Sequence, residues 1–187
     1  MQQNIPRLPN RSRFIVGSDR ARGWAALALL MAFTGQTRAQ DAGSSLRHPG
    51  DDVLITLHAV GTQYYQCAAS ASGGLDWTFK APEADLSSKG EVLAHHSAGP
   101  TWAYRDGSRI VGKVVAKASS QDPGQDIPWL RLDVISHAGA GVLDQADTVL
   151  RVNTKGGNLQ GACQAPGTER KVPYEADYVF IRRPKAL

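Results

Sequence analysis

The chain has 187 residues, enough for one domain with a sizeable core, and a formal net charge of +4. That charge belongs to the first 39 residues, which carry six Lys/Arg against one Asp/Glu; residues 40–187 carry 15 against 16, a net of −1. With no clustered basic charge left on the folding part, the composition argues against nucleic acid as a partner.

The chain opens with Arg7, Arg11, Arg13, Arg20 and Arg22, passes through the apolar run Trp24–Phe33, and reaches small residues at Thr37 and Ala39. This order is that of a cleavable secretory signal over residues 1–39, with the cut between Ala39 and Gln40. The apolar run is about half the length needed to span a bilayer, so no stable membrane anchor is expected after processing. No cysteine follows the run to take a lipid, and the adjacent arginine pair of a twin-arginine signal is missing. The expected destination is the periplasm or the cell exterior. Residues 40–50, small and polar, read as a flexible mature N-terminus.

From residue 51 to 183 the periodicity is mostly two, which predicts a single all-β domain of about seven to nine short strands, a sandwich or a barrel. In "VLITLHAV", Val53, Ile55, Leu57 and Ala59 are expected on one face, with Thr56 and His58 on the other. "TQYYQCAA" follows, then the Gly73-Gly74 break, then "LDWTFKA". A short helix is expected near "APEADLSSK". "PTWAYRDGSRIVGKVVAKAS" predicts a hairpin turning at Asp106-Gly107 through two positive φ angles. Along its second strand Val111, Lys113, Val115 and Lys117 alternate against Ile110, Gly112, Val114 and Ala116. "IPWLRLDVISH" sets Leu130, Leu132 and Val134 opposite Arg131 and Asp133. "DTVLRVNT" and "ADYVFIRR" supply the last strands, the latter ending in charges that blunt an edge.

Cys67 and Cys163 are the only cysteines. In an exported chain such a pair is expected to form a disulfide, and so wide a loop allows about 4–5 kcal/mol of stabilisation. A bonded Cys67 has no thiolate to offer catalysis.

The segments "AVGTQYYQC", "WTFKAPEADL", "HHSAGPTWAYRDGSRIVGKVVA", "DIPWLRLDV", "LRVNTKGGNLQGAC" and "VPYEADYVF" occur in the order of the DUF3455 proteins, which the chain resembles over roughly residues 53–180. The resemblance implies an exported all-β domain and brings no assigned activity. It departs at Ala94, where the family typically has glycine two residues before His96. Some members carry the label malate dehydrogenase, but the residues argue against a dinucleotide fold. Its G-x-G-x-x-G turn is approached only by "GAGVLD" at Gly139–Asp144, with Asp at the last glycine position and no βαβ alternation around it. No cofactor is expected.

Several residue groups could carry chemistry. His95 and His96 are adjacent, so on a strand they point to opposite faces and cannot share one ion. A metal site would need His96 joined by His58 or His137. His96 could equally do acid–base work, or hydrogen-bond backbone at the Gly99-Pro100 turn and pack on Trp102. Asp106 is a carboxylate at a turn, catalytic or simply suited to Asp-Gly. Glu83 and Asp85 could form a glycosidase pair or favour a helix start. Ser97 beside His96 makes no triad by adjacency, and no G-x-S-x-G elbow exists. Trp77, Trp102 and Tyr104 are candidates for a ligand surface, with Trp129, Tyr64 and Tyr65 as further aromatics. Two readings follow. One is a non-catalytic exported domain that binds a carbohydrate, a small molecule or an envelope protein, or serves as an extracellular structural protein. The other is an extracytoplasmic enzyme using His96 with a distant histidine or carboxylate.

Overall fold

The computed structural model describes residues 45–71 and 73–182. The expected leader and its cleavage point between Ala39 and Gln40 lie outside the described residues. Among the described residues, eight strands follow one another: β1 (Asp52–Ala69), β2 (Leu75–Ser88), β3 (Glu91–Ser97), β4 (Thr101–Tyr104), β5 (Arg109–Ala118), β6 (Trp129–Ala138), β7 (Thr148–Gly156) and β8 (Glu169–Arg182). Each pairs antiparallel with the next, and β8 returns to β1, closing an up-and-down barrel. The short helix expected near residues 81–89 is a strand instead. Ala84 and Leu86 alternate inward against Glu83 and Asp85 outward, so β2 continues to Ser88 before turning.

Alternation places Leu57, Ala59, Leu86, Trp102, Ile110, Leu132, Val149, Tyr178 and Phe180 in one interior core. Bulges change the parity expected from sequence. Val53 pairs with Ile181 and Ile55 with Phe180, leaving Leu54 as the extra residue. Val53 therefore faces outward, 42% exposed, away from Ile55, Leu57 and Ala59. On β5, Val114 pairs with Leu132 but Ala116 with Arg131, so Val115 is the extra residue. Ala116 then packs on the outer face and Lys117 reaches the interior end.

The outer face carries a smaller core of Leu46, Trp129, Leu150, Val179 and Ile181. Leu46 belongs to the lead-in expected to be flexible, yet it is 2% exposed, and its carbonyl accepts from Arg131 Nη1 at 2.8 Å. Arg131 does point away from Leu130 and Leu132, but into this second core. It grips Asp51 through two hydrogen bonds, Nη1 to Oδ2 at 2.9 Å and Nη2 to Oδ1 at 3.1 Å.

The two ends of the barrel differ. At one end, Leu143–Gln145 form a single 3-10 turn in the β6–β7 connection, with Leu143 and Ala146 fully buried in the interior core. The Gly139–Asp144 stretch thus belongs to a plug between antiparallel strands, not to a nucleotide-binding turn. The β4–β5 turn at this end uses one positive φ rather than two. Gly107 (φ 94) donates its N–H to the Tyr104 carbonyl, and Tyr104 donates to Ser108, the pattern of a turn with a glycine bulge. At the other end, the β7–β8 connection is tied to β1 and β2: Cys163 N–H donates to Leu75, Trp77 to Gly161 and Cys67 to Thr168. The Cys67–Cys163 disulfide closes this connection across a sequence separation of 96.

Candidate functional site

At the end opposite the plug the interior core does not fill the barrel. A cavity of about 410 Å³ opens there, lined by strand residues from both chain halves and by Gly99, Pro100 and Pro128 from connecting loops. An eight-stranded barrel is just wide enough for side chains to fill, or for one small ligand to replace some of them. Most of the lining is apolar or aromatic, including Tyr65, Phe79, Trp102, Leu130 and Leu132. Gly112 matters at the base: a Cβ there would lie 2.9 Å from the Trp102 ring, so glycine lets the indole lie against β5.

His96 and Trp102 face each other on paired positions of β3 and β4. Their rings stack with centroids 4.7 Å apart and planes within 8°. Tyr178 closes on both, at 5.1 Å from His96 and 5.7 Å from Trp102. His96 Nδ1 donates to the Thr101 carbonyl at 2.9 Å, just past the Gly99-Pro100 turn. Burial pushes the His96 pKa down to about 4; the Thr101 bond opposes this, and the Arg151 charge adds to it. The ring is therefore neutral at pH 7, with Nδ1–H committed and Nε2 left as an acceptor.

This burial has a measurable cost in acid. A histidine whose folded pKa lies below its unfolded value of about 6.5 gives the unfolded state the greater proton affinity. Its contribution is complete above pH 6.5 and declines as the pH falls toward about 4, by about 3 kcal/mol in all. Asp51, Asp106 and Glu169 have lowered pKa values and stay charged through most of that window. Urea unfolding at pH 7, 5.5 and 4.5 should show the loss in the native chain and a much flatter profile in His96→Phe. Equal slopes in the two proteins would place the acid sensitivity elsewhere.

Gln63, Trp102 and Arg151 share the cavity with His96. Gln63 is 1% exposed, and its Nε2 makes no hydrogen bond of acceptable geometry although the Tyr174 hydroxyl is near. Trp102 Nε1 is likewise buried without a partner. Arg151 donates from Nε and Nη2 to the Pro128 carbonyl, at 3.2 and 2.8 Å, and pairs with no carboxylate among the described residues. Its charge acts on His96, Tyr65, Tyr174 and Tyr178, which places the guanidinium among the interior groups.

The other candidate residues lie elsewhere. His95 is on the outer face against Asp85, and His58 is on the outer face against Asp177 at 3.0 Å, with Glu175 beyond. His137 donates to the Ala146 carbonyl at the plugged end. The four histidines do not converge, and among the described residues no three His, Cys, Asp or Glu side chains group as a metal site. Asp106 sits at the plugged end, its carboxylate accepting from Ser108 N and Oγ and from Val142 N, where it ties the β4–β5 turn to the plug. Glu83 accepts from Tyr64, and Asp85, on the same outer face of β2, is held against His95. Of the aromatic candidates, Trp102 lines the cavity. Tyr104 packs against the interior core, and Trp77 lies under Arg170 in a separate depression beside the disulfide. Sequence reasoning missed Gln63 and Arg151. The available signal was register: each continues an inward-facing series, Leu57–Ala59–Gln63–Tyr65 and Val149–Arg151.

A family model described as "Protein of unknown function (DUF3455)" matches residues 48–182. No curated protein and no solved structure matches the chain.

Proposed function

The chain belongs to the DUF3455 family, and from that premise we propose that it is a non-catalytic binding protein whose barrel takes up one small, largely apolar molecule. The carrying observation is the cavity of about 410 Å³ beside the His96–Trp102–Tyr178 ring cluster. Pockets of this kind, mostly apolar with a few placed polar groups, suit small organic ligands. Of the partners expected from sequence, the small molecule is the one this concave site supports. The enzyme reading gains no observation in its favour: His96 is neutral, its Nδ1 is held by backbone, and no carboxylate or second histidine lines the cavity among the described residues. Export is part of the same proposal. The basic–apolar–small order of the leader and the disulfide both support a periplasmic or extracellular location. No helix among the described residues is long and apolar enough to cross a membrane.

The test is to narrow the cavity without disturbing the core. Val114 lines it yet is 37% exposed, so Val114→Trp adds bulk at the opening with little strain. A naphthalene-based apolar probe titrated against Trp fluorescence should bind the native chain and lose at least tenfold in affinity in Val114→Trp, with an unchanged melting temperature. Unchanged affinity would move binding off this site.

A further inference from the structure

We infer that the ligand is an apolar carboxylic acid bound as its anion, its body against Trp102, Tyr65, Leu130 and Leu132 and its carboxylate on Arg151, Gln63 and Trp102; this rests on the ligand-binding reading above. The cavity lining contains Arg151, Lys80 and Lys117 and, among the described residues, no aspartate or glutamate. Lys80 is already paired with Glu169. No carboxylate pairs with Arg151 among the described residues: it donates to the Pro128 carbonyl and reaches the neutral Tyr178 hydroxyl, so its charge inside the barrel is uncompensated. A partly desolvated guanidinium without an anion is unfavourable, and an incoming carboxylate supplies the missing charge.

Two of the three buried side-chain atoms left without partners among the described residues line this cavity and point the same way; the third, Trp129 Nε1, belongs to the outer core. Gln63 Nε2 and Trp102 Nε1 are both donors, and an indole N–H can only donate. A buried donor without an acceptor is unfavourable, and a ligand oxygen admitted beside it would supply the missing bond. One guanidinium with two neutral donors matches a single negative charge on two oxygens. A phosphate brings up to two charges and three acceptor oxygens to a wall that is otherwise largely apolar. Lys117, at the opening and without a carboxylate partner among the described residues, adds attraction for an approaching anion.

The experiment compares 2-naphthoate with 2-naphthalenemethanol, nearly equal in shape and different in charge, by Trp fluorescence and calorimetry at pH 7 and low salt. The native chain should bind the acid at least tenfold more tightly than the alcohol. Arg151→Met, which keeps the apolar stem, should erase that preference while retaining the alcohol; Gln63→Leu should reduce it in part. Equal binding of both probes by the native chain, blocked by Val114→Trp, would overturn the anion inference and leave the cavity reading intact. Binding of neither probe would overturn both. If Arg151→Met does not fold, the two probes on the native chain still decide.

Discussion

Removing the disulfide by the paired change Cys67→Ala/Cys163→Ala is expected to lower the unfolding free energy by about 4–5 kcal/mol. The bond closes a loop of 96 residues, so its loss restores a large volume of conformations to the unfolded chain. Little native strain is expected to offset this, because backbone hydrogen bonds from Cys67 and Trp77, and from Cys163 to the Leu75 carbonyl, already hold the β7–β8 connection where the bond forms. Urea unfolding of the oxidised native chain against the double variant measures the difference, and reductant added to the native chain should reproduce it. A loss below about 1 kcal/mol would mean that the hydrogen bonds alone close the loop, contrary to the loop-entropy account.

Asp51→Ala is the second large effect, expected to cost about 3–5 kcal/mol. The side chains of Arg131 and Asp51 are only 4% and 7% exposed, and Arg131 also donates to Leu46 and Thr148. Truncating Asp51 leaves a buried guanidinium without its counter-ion. Adding Arg131→Met should recover much of the loss, because the charge goes with its partner. If the double variant is as unstable as Asp51→Ala, the damage comes from unpacking Leu46 rather than from the orphaned charge. The Arg131 hydrogen bonds hold the Asp51 pKa below the ordinary carboxylate value. The pair therefore contributes fully above about pH 4 and is lost as the pH falls through the lowered pKa, a window below that of His96.

Strand content and the cysteine pairing were legible because each rests on local or compositional signals. Period-two alternation along β1 placed Leu57 and Ala59 on one face, and two cysteines in a chain expected to be exported pointed to the disulfide. What failed were statements that depend on counting alternation across a bulge. One extra residue at Leu54 turned Val53 outward, and one at Val115 exchanged the roles of Ala116 and Lys117. No residue type announces such a bulge, since the partner strand decides it. For Arg131 the facing was legible, but not its surroundings. A two-faced barrel strand looks half-exposed in sequence, and only the lead-in carrying Leu46 buries the outer side. The site was legible in half: His96 and Trp102 stood out as candidate residues, while nothing in the sequence singled out Gln63 and Arg151. Closure hid them, because β1 meeting β8 makes an inside out of one sheet face.

That closure also sets an order of events in time. β1 pairs on one side with β2 and on the other with β8, and partners such as His58 and Asp177 are 119 residues apart. The first strand made is thus completed by the last. Until Glu169–Arg182 have been synthesised, the flank of β1 that pairs with β8 exposes its backbone groups, and until the chain reaches Cys163, Cys67 has no partner. Folding of this kind, dominated by distant pairings, is slow, and its partial forms are open to wrong partners.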